Sequence, residues 1–466
     1  MTYQEALEYL DSFLNYEQIT AYRYPEVFSL DRVEGLLRRL GNPHCRYPTL
    51  HVAGTKGKGS TCAFAASILS AVGLKTGLYT SPHLFSFRER MRINGEPIPG
   101  PELAEIVCEI QPAASRDLTY FEVTTACAFL YFARAEVDAA VIEVGLGGRL
   151  DATNTLLPEV TAITPISLDH MSKLGNTLGE IAREKAGILK PGVPAVIAPQ
   201  SKEAMRVIEQ VAAEQGVPLH LMEEEVRIEQ VELDASGSRA TFHTPLQSYR
   251  ALEIPLLGRH QLENVAMAVR MVELLGRPLG QSVREGIGRT SWPGRCQLID
   301  GNPPILLDGA QNAASAQILK ETVEELFPGR KLTAIVGIST DKDLDGIAAA
   351  LGPWIDRLIL TKASSPRAES PQRLAERFQA WHAHPELCAS VSEALQRATA
   401  ETYPEGLIVV TGSLFVVAES LLGSLLPLSL AAEQEENSAG HSGEEGDGGA
   451  QQGKREGPRG HDADRG

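Results

Sequence analysis

LHVAGTKGKGS, residues 50–60, is an apolar strand running into a glycine-rich turn that ends on a lysine and a hydroxyl. The small, apolar, helix-like stretch TCAFAASILSAVG follows directly. Such a turn aims backbone N–H groups and a helix N-terminus at polyphosphate. Lys58 is then placed to neutralise terminal phosphates, and Ser60 to ligate a bridging Mg²⁺. Glycine at 57 and 59 lets the backbone approach a phosphate and adopt positive φ. The spacing departs from the common nucleotide-binding pattern, because Gly59 separates Lys58 from Ser60. Taken alone, the same residues would also serve as a plain strand-to-helix turn.

Outward from this turn, strands and helices alternate in two blocks. LHVAG, KTGLYTS, AAVIEVG, VTAITPIS and VPAVIAP are short apolar runs with helical stretches between several of them, the pattern of buried parallel strands. Between Val226 and Leu257 the texture changes to VRIEQVEL, SRATFHT and YRALEIPL, which predicts a small antiparallel insertion. A second block starts near Trp292-Pro293-Gly294 and runs through ILLDGA, KLTAIVGIS, RLILTKA and LIVVTGS with intervening helices, a doubly wound unit. The expected architecture is α/β: residues 1–290 and 291–428 as two domains, with a cleft between them suited to a nucleotide and a second substrate. A glycine- and acid-rich tail, 429–466, completes the chain. From Glu433 to Gly466 it holds nine acidic, four basic and nine glycine residues with no Val, Ile, Leu or Phe, which predicts disorder.

Composition narrows the partners. The 466 residues carry a net charge of −17 and no basic stripe, which argues against nucleic acid or an anionic membrane surface. The six cysteines form no Cys-x-x-Cys pair and no zinc spacing, as expected for reduced thiols. No signal peptide and no apolar run of about 18 residues is present, so a soluble, cytoplasmic protein is expected.

In parallel α/β sheets ligands gather at the carboxyl ends of strands. There the chain places Ser81-Pro82-His83, then Glu143 followed by Gly145, Gly147, Gly148 and Arg149, then Asp169-His170. Ser60, Ser81 and Glu143 with phosphate oxygens would suit Mg²⁺, which prefers oxygen ligands and keeps several waters. Each residue also has a plainer reading: Ser81 as a turn residue, Glu143 as a strand-end surface acid, His170 as a helix cap or core histidine. Lys185 reads on its own as a salt-bridged lysine on an exposed helix.

The series HVAGTKGKGST, YTSPHLFSFRERMRINGEPI, VIEVGLGGRLDATN, ITPISLDHMSKLGNTLGEIAREKAGILKPG, GRHQLENVAMA, SWPGRCQ, LDGAQN and TGSLFVVAES resembles the folylpolyglutamate synthase/dihydrofolate synthase family of the Mur-ligase superfamily. The resemblance spans residues 2 to 425 with every landmark in order. It implies an N-terminal P-loop Mur-ligase ATPase domain and a C-terminal Rossmann-like ligase domain. It implies ATP and Mg²⁺ as cofactors, with Thr55, Lys56, Gly57, Lys58, Gly59 and Ser60 as the phosphate loop. By the same resemblance Ser60, Ser81 and Glu143 would ligate a first Mg²⁺, and Glu143 with His170 a second. Lys185 matches a lysine that carries a carbamate supporting the metal. Asn264 matches an adenine contact, Arg295 a phosphate contact and Asp308 a contact to the ribose side of the nucleotide. Thr119, Tyr120, Phe121 and Glu122, with Leu150, Asp151 and Ala152, match a pterin site. The rings at 120 and 121 would stack on a flat pterin or simply pack the helix start.

The implied reaction is ATP-dependent amide ligation, in which a carboxylate is phosphorylated and L-glutamate displaces the phosphate. The carboxylate belongs to dihydropteroate or to the γ-position of a folate, and the enzyme would work as a monomer. A peptidoglycan-precursor ligase of the same superfamily is the alternative, and a nucleotide-dependent switch a third reading. Gln311 is a departure: the family usually has Asp-Gly-Ala-His-Asn where this chain has Asp308-Gly309-Ala310-Gln311-Asn312. Glutamine donates and accepts hydrogen bonds but cannot become a cation.

Overall fold

Each continuous apolar run in the first block becomes a strand buried on both faces, because helices cover the sheet on either side. In this computed structural model the strands are β1 (Thr49–Ala53), β2 (Thr76–Tyr79), β3 (Met91–Ile93), β4 (Glu96–Pro97), β5 (Ala139–Glu143), β6 (Val160–Ile163), β7 (Ala195–Ile197) and β8 (Leu219–Leu221). They form one sheet in the order β4-β3-β2-β5-β1-β6-β7-β8. From β2 to β8 the pairing is parallel, and β3 and β4 add an antiparallel edge. With β1 central between β5 and β6, the turns after β1, β2, β5 and β6 emerge side by side along one edge of the sheet. The structure describes residues 1–17, 19 and 28–425, and residues 1–421 form one compact unit. The expected tail, 429–466, lies outside the described residues.

The helix Lys58–Ala71 explains why its sequence is so apolar and so weakly amphipathic. Residues 60–66, Ile68 and Leu69 are all buried, since the helix runs between the sheet and two further helices, His260–Glu273 and Ser282–Gly288. A Cβ on Gly286 would sit 2.5 Å from the Ile68 Cα, so the helix crossing depends on its absence. The strands β9 (Arg227–Asp234), β10 (Gly237–His243) and β11 (Ser248–Ile254) make the antiparallel insertion as a three-stranded sheet with β10 central.

The second block folds as a six-stranded sheet of β12 (Gln297–Ile299), β13 (Ile305–Leu307), β14 (Leu332–Val336), β15 (Arg357–Leu360), β16 (Glu386–Leu387) and β17 (Leu407–Thr411). Its order is β12-β13-β17-β14-β15-β16, parallel except for β12. Separate apolar clusters pack its two faces. The first two sheets with their helices make up a first lobe, and the third sheet with its helices a second lobe. All six cysteines are free, four of them buried. Among the described residues no helix is long and apolar enough to cross a membrane.

Candidate active site

The turn after β1 is held from below. Thr55 and Lys56 donate their backbone N–H groups to Pro165 O, and Thr55 Oγ1 exchanges hydrogen bonds with the Ser167 backbone. Gly57 has φ +81°, and a Cβ there would meet Asn264 Oδ1 at 2.3 Å. Only glycine fits this position. Lys58 opens the helix, so its first N–H groups and its ammonium face the same cavity.

Every residue expected around the nucleotide and metal lines that one cavity, of about 210 Å³: Thr55 to Ser60, Ser81, Glu143, His170, Lys185, Asn264, Arg295 and Asp308. Glu143, the last residue of β5, is 5% exposed, so the reading as a surface acid is overturned. Its Oε2 accepts the Ser81 N–H at 3.2 Å and its Oε1 lies 3.9 Å from Lys58 Nζ. Burial raises its pKa, against the pull of Lys58. A buried carboxylate with one N–H donor and a distant ammonium is under-neutralised, which suits a divalent cation. Among the described residues no group of three His, Cys, Asp or Glu side chains could hold a metal alone. Ser60, Ser81, Glu143 and His170 would therefore hold Mg²⁺ only together with phosphate oxygens and water.

Lys185 is the clearest correction to its plainer reading. It is 5% exposed, and its Nζ donates to the Gly54 carbonyl at 2.7 Å. Burial first, then Lys58, lowers its pKa to about 7, so a neutral amine is accessible near neutral pH. His170 sits at φ +51° before a one-turn helix, with its pKa lowered to about 3 by burial and Lys342. It enters the cavity as a neutral imidazole. Asn264 is committed to Gln261 Oε1 and to Thr61 as well as to the Gly57 contact. Asp308 Oδ2 accepts from the Cys296 N–H and thiol, from a Cys296 held at φ +43°.

A second, larger cavity of about 720 Å³ adjoins the first and contains Thr119, Tyr120, Phe121, Glu122, Leu150, Asp151 and Ala152. The two share Ser81, Pro82, Gly145, Leu146, His170, Gln311 and Leu414. Gln311 thus stands where the two meet. Not every residue in the larger cavity is free to bind. Glu122 closes a capping box on Thr119 and accepts from Arg32 at 2.9 Å. Asp151 accepts from the Leu146 and Thr153 N–H groups. These two acids shape the walls, while Phe121, packed over Gly145, and Tyr120 present rings.

Sequence reasoning missed two clusters. Asp169 accepts from Lys56 (3.4 Å), Lys342 (3.2 Å) and Asn312 (3.0 Å), joining the phosphate turn to the second lobe. Arg90, 2% exposed, donates to both oxygens of Glu17 and to His83. Burial and the Arg90 charge lower the His83 pKa to about 4. Asp169 and His83 stood at strand ends and carried some signal. Lys342 and Glu17 carried none, since their partners are over seventy residues away.

The Mur ligase middle domain matches residues 52–272, and the Mur ligase glutamate ligase domain matches residues 294–414. The dihydrofolate synthase/folylpolyglutamate synthase of Bacillus subtilis is 33% identical over 84% of this chain and 93% of its own length. This chain belongs to the folylpolyglutamate synthase/dihydrofolate synthase family. It is an ATP-dependent ligase of the Mur type. The Mycobacterium tuberculosis folylpolyglutamate synthase complexed with ADP superposes with a TM-score of 0.84 at 32% identity, covering 90% of this chain and 97% of that one. Escherichia coli FolC in complex with DHPP and ADP gives 0.81 at 32% identity, covering 91% and 97%. These relatives are folate ligases, so the cell-wall alternative loses its footing.

Proposed function

We propose that this chain uses ATP and Mg²⁺ to add L-glutamate to dihydropteroate, to the γ-carboxyl of a folate, or to both. The observation that supports it most is the adjoining pair of cavities: a cationic turn for phosphates opening onto an aromatic-walled space, with Ser81, His170 and Gln311 at the junction. The roles follow from that placement. The N–H groups of residues 57–60 and Lys58 hold the phosphates, with Arg295 and Asp308 reaching the nucleotide from the second lobe. Ser60, Ser81, Glu143 and His170 would hold Mg²⁺, which would supply charge neutralisation for phosphoryl transfer. Lys185, once carbamylated, contributes an oxygen anion beside that site.

The substrate carboxylate attacks the γ-phosphorus, ADP leaves, and an acyl phosphate forms at the cavity junction. The glutamate amine then attacks the acyl carbon and phosphate departs, leaving an amide. The closed lobes exclude the water that would hydrolyse the acyl phosphate. In this reading residues 1–290 carry ATP and the pterin, residues 291 onward carry the ligase half, and the enzyme is a cytoplasmic monomer. Its partners are small molecules rather than nucleic acid or membrane, consistent with the net charge of −17. ADP release with ATP, Mg²⁺ and L-glutamate tests the proposal when dihydropteroate, tetrahydrofolate and no pterin are compared. Release that requires both glutamate and a pterin is the expected result. ADP formed without either, or none at all, overturns it.

A further inference from the structure

We propose that His83 is a substrate-binding residue whose Nε2–H holds the benzoyl amide oxygen of a folate substrate, with Arg90 and Glu17 as the residues that position it. The argument begins with Arg90, among the largest fully buried side chains of the protein. Its Nη1 and Nη2 donate to the two Glu17 oxygens at 2.8 and 2.6 Å, which fixes the guanidinium plane. The rings of Phe87 and Tyr120 lie 5.8 and 5.6 Å from its centre. The remaining Nε–H donates to His83 Nδ1 at 2.9 Å.

A guanidinium always donates, so Nδ1 must accept, and the ring proton resides on Nε2. His83 is therefore a neutral imidazole with a set donor, and no described residue accepts that N–H. It cannot serve as the base for the glutamate amine, because the nitrogen left open already holds its proton. What it can do is donate.

The recipient is set by place. His83 lines the larger cavity, two residues beyond Ser81 at the junction, and its ring lies 6.2 Å from Phe87 and so near the aromatic wall. A group there must lie between a flat ring system and the carboxylate to be activated. In a folate that group is the 4-aminobenzoyl unit, whose amide oxygen is an acceptor; in dihydropteroate the benzoyl oxygens are themselves the carboxylate. The second lobe reaches the same relay, since Arg367 Nη1 donates to the Glu17 carbonyl at 2.5 Å.

This proposal rests on the folate-ligase reading, and its test separates the two. Steady-state ADP release is measured for the parent, His83→Ala and His83→Gln, varying tetrahydrofolate as the pterin, then ATP and glutamate in turn. Loss of one hydrogen bond predicts a rise of about tenfold in the pterin KM of His83→Ala, with the ATP and glutamate values within about twofold. Glutamine accepts from Arg90 with its oxygen and donates with its nitrogen, so His83→Gln restores most of the pterin KM. A pterin KM unchanged in His83→Ala, a rise shared equally by all three substrates, or no rescue by glutamine overturns the assignment of His83. A parent enzyme whose ADP release ignores pterins overturns the folate reading instead.

Discussion

Lys185 shows how much of this site depends on taking a charge out of water. An ammonium held at 5% exposure by a single carbonyl is a poor structural choice, because burial and Lys58 penalise the cation more than the nearby Asp169 and Asp151 carboxylates repay it. The same environment makes the amine nucleophilic toward carbon dioxide, and the resulting carbamate would face Lys58 as an anion. Lys185→Ala should lower turnover by roughly 100-fold, the scale seen when a group supporting a metal site is removed. Added acetate or formate should restore part of it, and full activity in the variant would end the carbamate reading. Gln311 poses the opposite case. Its side chain stands at the junction of the two cavities without a charge to offer. Gln311→His should leave kcat equal or higher at neutral pH. A large loss of kcat would show a junction built around the amide.

Among the elements, the helix Lys58–Ala71 decides the stability of the first lobe. Its crossing with Ser282–Gly288 is so close that Gly286 has no room for a side chain. Gly286→Val should destabilise the protein by about 1–3 kcal/mol through overpacking, read as a lower urea midpoint with an unchanged slope. An unchanged midpoint would mean that the helix Ser282–Gly288 shifts at no cost. The elements that were legible in the sequence are those whose burial leaves a run of apolar letters: β1, β2, β5, β6 and β7, and their counterparts β13, β14, β15 and β17. What went unread is short or at an edge. The β3–β4 hairpin is only three and two residues long, although its Asn94-Gly95 turn, with both φ values positive, was a signal to be found. β16 has two residues and no pattern. At the site, residues fixed by local turns were visible, such as Lys58, Ser81 and Glu143. The long-range pairs Glu17–Arg90 and Asp169–Lys342 were not, because a pairing between distant residues leaves no local period.

On the scale of the whole molecule, Asp169 joins three parts at once: its own turn after β6, the phosphate turn through Lys56, and the second lobe through Lys342 and Asn312. Both lysines stand in the low-dielectric floor of the cleft, and burial lowers the Lys56 pKa to about 8. Removing this carboxylate would leave Lys56 and Lys342 facing each other across the lobes, so Asp169→Asn should open the cleft. The expected readouts are a larger radius of gyration in solution and a higher KM for ATP. The pH dependence has a definite sign. Burial alone would raise the Asp169 pKa, but His170, Lys342 and Lys56 hold it far below its ordinary 3.8. A carboxylate depressed in the folded state binds its proton more readily when unfolded. Its contribution is therefore fully present above pH 3.8 and is lost as pH falls from there toward the folded value. Urea midpoints of the parent and Asp169→Asn should differ by a constant amount from pH 7 to about 5 and converge below pH 3.8. A difference that persists undiminished in acid would show that the carboxylate acts through its shape rather than its charge, and the latch between the lobes would have to be sought elsewhere.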